Sequence, residues 1–343
     1  LNLLKRWRIG LLGLAVSLLA AYFIVSEIDF NLLGDAIQQA RWIYVLPCVF
    51  LLLAGLVARA LRWRLLLSDG LPLGRTFHIM NVAYLVNGVL PLRIGEVARI
   101  FLANRAEPPV PMLKTASTII VERLLDLLSV VMLVALALAL GDVPEVLRNA
   151  GILMGVVGFS GFLVLVFLSR QRELAHRILG AIVARVPLLQ RLHVVELLDH
   201  FLDGLLPLAK FHTLVGALWW SAIGWGFSVA AGYVLMYTFY AEASLAATCL
   251  YIAAAAFAIA VPATVGSLGV YEASILLALE ALGYGEPYAT AVAFAVTVHL
   301  VNVAVHSVTG VIGFITEGIT LGQLSDGVRQ VNATHDMTRT EVT

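Results

Sequence analysis

Asn87-Gly-Val-Leu-Pro-Leu-Arg-Ile-Gly-Glu-Val-Ala-Arg99 is the stretch on which the reading of this chain turns. Gly88, Pro91 and Gly95 interrupt a strongly apolar background, and Arg93, Glu96 and Arg99 put three ionisable groups into the interruption. In hydrocarbon, a backbone N–H or C=O released from a helix has no water to bond. Such a break is tolerated only where protein or a wet cavity shields it from lipid. The stretch therefore reads as the turn and return limb of a re-entrant segment. Glu96 and Arg99 are three apart on one helical face, where they can pair or jointly meet an ionic ligand.

The membrane setting follows from composition. Hydrophobic residues make up 61% of the chain and charged residues only 13%, with a mean hydropathy of +0.94; soluble domains carry about a quarter charged residues. Zero formal net charge implies no nucleic-acid partner. Cys48 and Cys249 both lie in apolar runs, which argues against a disulfide framework or a cysteine metal site. Gly266-Ser-Leu-Gly269 lacks the lysine of a phosphate-cradling loop, and no catalytic triad or metal spacing stands out, so neither cofactor nor metal is expected.

Working outward from the break, Lys5, Arg6 and Arg8 precede the apolar run Ile9 to Val25, which is close to spanning length. It reads as a retained first span, being long for the apolar region of a signal peptide. An acidic connection with Glu27, Asp29 and Asp35 leads to a second span from about Ile43, ending in Arg59, Arg62 and Arg64, which reads as a cytoplasmic exit. His78 to Leu90 is too short to cross, and Ile94 to Ala103 returns to Arg105 and Lys114 on the same side. Thr115 to Leu140 crosses while carrying Glu122, Arg123 and Asp126. Gly151 to Leu168 returns, and its Gly151, Gly155 and Gly158 form a small-residue packing face.

Residues 170–211 combine many arginines with apolar side chains at helical spacing, such as Leu197, Leu198, Phe201, Leu205 and Leu208, which suits amphipathic helices at the cytoplasmic membrane surface. Leu214 to Tyr240 spans again, with Trp219, Trp220 and Trp225 read as interface anchors and packing. From Leu245 to Leu282 the opening pattern recurs, broken at Pro262, Gly266 and Gly269 and followed by Glu272. Pro287 to Ile315 is a final span, and residues 321–343 form a polar tail.

These readings predict an all-α polytopic membrane protein: one transmembrane domain over residues 1–320, with about six spanning helices and two re-entrant broken helices. The basic residues place both termini in the cytoplasm and have the two breaks enter from opposite sides. That is the arrangement of an inverted-repeat transporter, whose substrate site lies where the broken segments meet. Sequence identity between the halves is negligible, so the repeat is a hypothesis about topology.

The ordered set Asn87 to Arg99, Glu122-Arg-Leu-Leu-Asp126, and Pro262 through Gly266 and Gly269 to Glu272 resembles the signature regions of the lysylphosphatidylglycerol synthase transmembrane family, the flippase-like domain proteins. The likeness extends over nearly the whole chain. It implies a bacterial or archaeal inner-membrane protein, related to the flippase half of the aminoacyl-phospholipid synthases, that translocates a phospholipid or lipid-linked substrate. Because the chain ends soon after its last span, no aminoacyl-transferase domain and no enzymatic activity are expected. An alternative is a membrane subunit or scaffold for a separate glycosyl- or aminoacyl-transferase, and a homo-oligomer is a further partner reading.

The chemistry of the residues fits that class. Glu122 and Asp126 share a face, while Arg123 points about one hundred degrees away. Each charge at mid-bilayer costs roughly 2.5–3.5 kcal/mol on insertion scales. The candidate substrate-binding set is Asn87, Arg93, Glu96, Arg99, Glu122, Arg123, Asp126 and Glu272, with the arginines suited to an anionic headgroup. The competing reading is that these charges only staple the broken helices together. Gly88, Pro91, Gly95, Pro262, Gly266 and Gly269 are the hinge candidates. His299, Asn302 and His306 fall on one face of the last span, as cavity lining with metal binding or proton relay as its chemistry, or, the favoured reading, as a packed or hydrogen-bonded interior face.

Overall fold

Prolines and local caps set where the chain turns helical. Pro111, Pro144 and Pro287 each stand just before a long helix, where the missing N–H costs nothing. Asp29 Oδ1 caps another by accepting from the Asn31 and Leu32 N–H groups. The computed structural model describes residues 19–68, 70–89, 94–171, 173–177, 205–260, 267–319 and 322–323, and no strand occurs among them.

The helices are α1 (Phe30–Gln39), α2 (Val45–Leu66), α3 (Leu73–Val89), α4 (Ile94–Asn104), α5 (Met112–Leu140), α6 (Glu145–Arg170), α7 (Phe211–Met236), α8 (Leu245–Ala260), α9 (Val270–Glu280) and α10 (Tyr288–Glu317). Among the described residues five stretches are long and apolar enough to cross a membrane: Trp42–Leu66, Met112–Leu140, Glu145–Arg170, Phe211–Met236 and Tyr288–Glu317. The expected first span, Ile9 to Val25, lies outside the described residues as far as residue 18, and residues 19–26 are helical. This is an all-α polytopic membrane protein.

The two broken segments are helical hairpins. With 17 and 11 residues, α3 and α4 are about 25 and 17 Å long, each short of the roughly 30 Å hydrocarbon core. They pack on each other, and α8 and α9, of 16 and 11 residues, do the same. Gly95 allows the first closure, because a Cβ there would collide with the Ala83 carbonyl oxygen and the Asn87 side chain. Pro91, Arg93, Pro262 and Gly266 lie outside the described residues.

Two halves of four helices, α2–α5 and α7–α10, make matching contacts. The leading helices α2 and α7 pack together in the centre; α5 packs on α8 of the other half, and α10 reciprocally packs on α3. Pairing of α2 with α7 is antiparallel: the Arg41 N–H donates to the Thr238 carbonyl, Gly55 faces Gly224, and Gly216 faces Leu65. A two-fold operation exchanging antiparallel α2 and α7 must run across their axes. Where those helices span a bilayer, such an axis lies in its plane, the geometry of an inverted repeat.

α6 stands outside both halves. Gly151, Gly155 and Gly158 let it approach α5, since a Cβ at these positions would press on Leu138, Ala135 and Val131 respectively. Of the 170–211 region, Leu205 and Leu208 are fully buried with residues of α5, α6 and α7, whereas Leu197, Leu198 and Phe201 lie outside the described residues.

Candidate functional site

Three helices bring seven charged side chains together. On α2, Arg59, Arg62 and Trp63 share a face by their spacing; α4 supplies Glu96 and Arg99, and α5 supplies Glu122, Arg123 and Asp126. Glu122 is the hub: its Oε2 lies 2.6 Å from Arg99 Nη1 and its Oε1 3.7 Å from Arg62 Nη2. Arg62 Nη1 donates to Asp126 Oδ1 at 2.9 Å and to Ser221 Oγ at 3.0 Å. Arg123 closes the set, with Nε 3.2 Å from Glu96 Oε1 and Nη1 3.7 Å from Asp126 Oδ2.

Burial makes these contacts consequential. Arg62, Arg99 and Glu122 are 2%, 3% and 2% exposed, so they have left bulk solvent. Asp126 sits near the middle of the 29-residue α5, about 20 Å from either end. Three arginines against three carboxylates remove the net charge that would otherwise cost several kcal/mol at this depth. The guanidinium of Arg99 also lies 3.6 Å from the centroid of the Trp63 ring, and Trp63 Nε1 donates to Thr118 Oγ1 at 3.1 Å. Among the described residues, the buried donors Arg99 Nε, Arg99 Nη2 and Arg62 Nε have no hydrogen-bond acceptor.

Two sequence readings need correcting here. Arg62, read as part of a basic cluster at a cytoplasmic exit, is inside the protein bridging Glu122 and Asp126. Its partners lie on α5 and α7, which the local sequence does not reveal. Trp225, read as interface anchor or packing, is not at an interface: it sits mid-helix in α7, with Nε1 donating to Asp126 Oδ1 at 3.4 Å and its ring 5.0 Å beneath the Arg59 guanidinium. Arg59, Arg62, Trp63, Ser221 and Trp225 were all missed as site residues. An Arg-x-x-Arg-Trp spacing within an apolar span was the available signal.

Other candidates have local duties. Asn87 Oδ1 accepts the Gly95 N–H at 2.8 Å, tying the ends of the first hairpin together. Gly88 faces open space, so packing does not demand a glycine there. In the second half, Gly269 adopts a φ of +82°, a conformation glycine favours, and its N–H donates to Glu272 Oε2 at 2.7 Å at the start of α9. Glu272 Oε1 meets His299 Nδ1 at 2.6 Å, and the His299 ring packs 4.4 Å from Tyr271. The two halves thus hold unlike chemistry at comparable places: guanidinium–carboxylate pairs after the first hairpin, a carboxylate–imidazole pair after the second.

The polar face of α10 lies between them. Asn302 Nδ2 donates to the Val298 carbonyl and His306 Nδ1 to the Asn302 carbonyl, each at 2.8 Å, so both close on their own helix. The His306 ring meets Tyr84 of α3 edge-on at 5.3 Å. Arg59 lies over the Trp225 ring, whose Nε1 donates to Asp126, and this places Arg59 beside the charge cluster. Among the described residues no group of three or more His, Cys, Asp or Glu could hold a metal ion.

The sequence model of the family described as the lysylphosphatidylglycerol synthase TM region matches residues 10–310. The chain belongs to this family. The matched range includes both hairpins and every member of the charge cluster. No curated protein and no solved structure matches the chain.

Proposed function

We propose that this protein translocates a phospholipid or lipid-linked precursor across the cytoplasmic membrane, its headgroup passing through the polar interior between the two hairpins. The observation that carries the reading is the buried cluster of Arg62, Arg99, Glu122 and Asp126, set at the junction of a broken hairpin with three other helices. Charges at this depth are costly, and where they persist they mark substrate paths more often than packing. The exchange-related halves support an alternating mechanism in which each hairpin moves with the helix it packs on from the other half.

In this reading the protein is not an enzyme. Both termini face the cytoplasm, the first hairpin enters from that side and the second from outside. Glu96 and Arg123, the more exposed pair at 28% and 38% of their side chains, form the approach, and the Arg99–Glu122–Arg62 chain forms the floor.

Reconstitution tests it. Vesicles containing the purified protein and a trace of head-labelled phosphatidylglycerol should expose the inner-leaflet label to an impermeant quencher, and Asp126→Asn should slow that exposure at least tenfold. Equal exposure in empty and protein-containing vesicles, across anionic, neutral and polyprenyl-phosphate probes, would remove the proposal.

A second reading is a membrane subunit for a lipid-modifying transferase. The family description, which names the transmembrane region of a synthase, favours keeping it. Under that reading, deletion would abolish a lipid modification while purified protein moves no lipid.

A further inference from the structure

We infer that Arg59, backed by Trp225 and Ser228, is a binding site for the phosphate of an anionic headgroup; as a statement of substrate class, this rests on the translocation reading. The argument begins with charge matching. Each of Arg62, Arg99 and Arg123 has a carboxylate oxygen within 4.0 Å, and Glu96, Glu122 and Asp126 are all consumed in those pairs. Arg59 is the fourth arginine, and no carboxylate of the described residues lies within ion-pair distance of it. Its side-chain contacts are a π face and a hydroxyl: the Trp225 ring at 5.0 Å and Ser228 Oγ at 3.4 Å.

The position makes that surplus useful. Arg59 is half-buried, inside the span Trp42–Leu66 and one turn from Arg62. α2 and α7 are in contact here: a Cβ added at Gly224 would meet Arg59 Cγ at 3.5 Å, an ordinary van der Waals distance. The Arg59 stem thus lies against α7, and its head is set by the Trp225 ring and Ser228 Oγ of that helix. A guanidinium laid over an indole keeps its edge N–H groups available, and a phosphate takes two of them in parallel. Ser228 Oγ already donates to the Gly224 carbonyl at 3.1 Å, so it positions Arg59 as an acceptor and does not compete for the anion.

A second observation points the same way. Arg99 is 3% exposed, yet among the described residues its Nε and Nη2 have no acceptor, and neither does the buried Nε of Arg62. Among the described residues the cluster, counting Arg59, sets four arginines against three carboxylates. The more exposed Arg59 guanidinium is matched to a monoanionic phosphodiester. Inorganic phosphate shares that chemistry, so the test includes it.

Native mass spectrometry of the whole protein released from mixed phosphatidylcholine and phosphatidylglycerol bilayers reads the site directly. The wild type should retain phosphatidylglycerol over phosphatidylcholine by at least tenfold, and Arg59→Gln should bring the ratio within threefold of unity. Arg59→Lys, which keeps charge without the planar fork, should fall between and serves as the deciding variant if Arg59→Gln does not fold. Retention of inorganic phosphate with no preference between the lipids would overturn the headgroup assignment. An unchanged lipid ratio in a folded Arg59→Gln would overturn the role of Arg59. Lipid translocation is measured separately in the same vesicles: an Arg59-dependent preference without translocation would sink the transport reading alone, and translocation with no such preference would sink this site alone.

Discussion

Replacing Glu122 by Gln removes a charge that two buried arginines share, and the two are not affected equally. Arg62 keeps Asp126 at 2.9 Å and Ser221 at 3.0 Å, so it stays paired. Arg99 loses the carboxylate at 2.6 Å, its sole ion-pair partner among the described residues, while its Nε and Nη2 already lack acceptors. Breaking a buried pair by deleting one partner costs about 3–5 kcal/mol. The Trp63 face at 3.6 Å offsets some of this, a desolvated cation–π contact being worth about 2 kcal/mol. A net loss of about 1–3 kcal/mol is therefore expected for Glu122→Gln. Arg99→Met alone should cost a similar amount, but the double variant Glu122→Gln/Arg99→Met should recover at least half of the summed loss, because no uncompensated charge remains. Reversible unfolding in mixed micelles, followed by tryptophan fluorescence, supplies the cycle. A coupling energy below about 0.5 kcal/mol would refute the premise that this pair is desolvated.

Gly95→Ala should destabilise the protein by about 1–3 kcal/mol through overpacking against the Ala83 carbonyl and Asn87, whereas Gly88→Ala, facing open space, should be nearly neutral in the same unfolding assay. Glu272→Ala should cost about 0.5–2 kcal/mol for the lost cap on Gly269 and should raise hydrogen exchange at the first amides of α9; unchanged exchange there would show that the cap is dispensable. Gly155→Leu should weaken the α5–α6 contact, read as faster proteolysis between the two helices, since even a Cβ there would come within 2.9 Å of Ala135. Cysteines placed in the Gly283 to Glu286 turn should label from outside the cell; labelling only from the cytoplasm would turn the second hairpin into a full crossing.

Sequence alone determined the class of this protein and the outline of its chain. Spanning length, the cost of burying charge in hydrocarbon and the behaviour of Pro and Gly are local properties, so apolar runs and their interruptions can be read without knowing what packs on what. Glu122, Arg123 and Asp126 declared themselves for the same reason, because ionisable groups inside a span need an explanation wherever the span lies. Arg62 did not: four residues from the end of α2, a basic side chain looks like an interface charge. What it does was decided by Asp126, 64 residues away, and Ser221, 159 residues away. The crossed pairing of α5 with α8 and α3 with α10 was equally out of reach, since those faces are apolar or small and carry no mark of their partner. Close packing of side chains from distant helices is a property of the assembled fold, and it is what turned a scattered set of charges into one buried cluster with an arginine to spare.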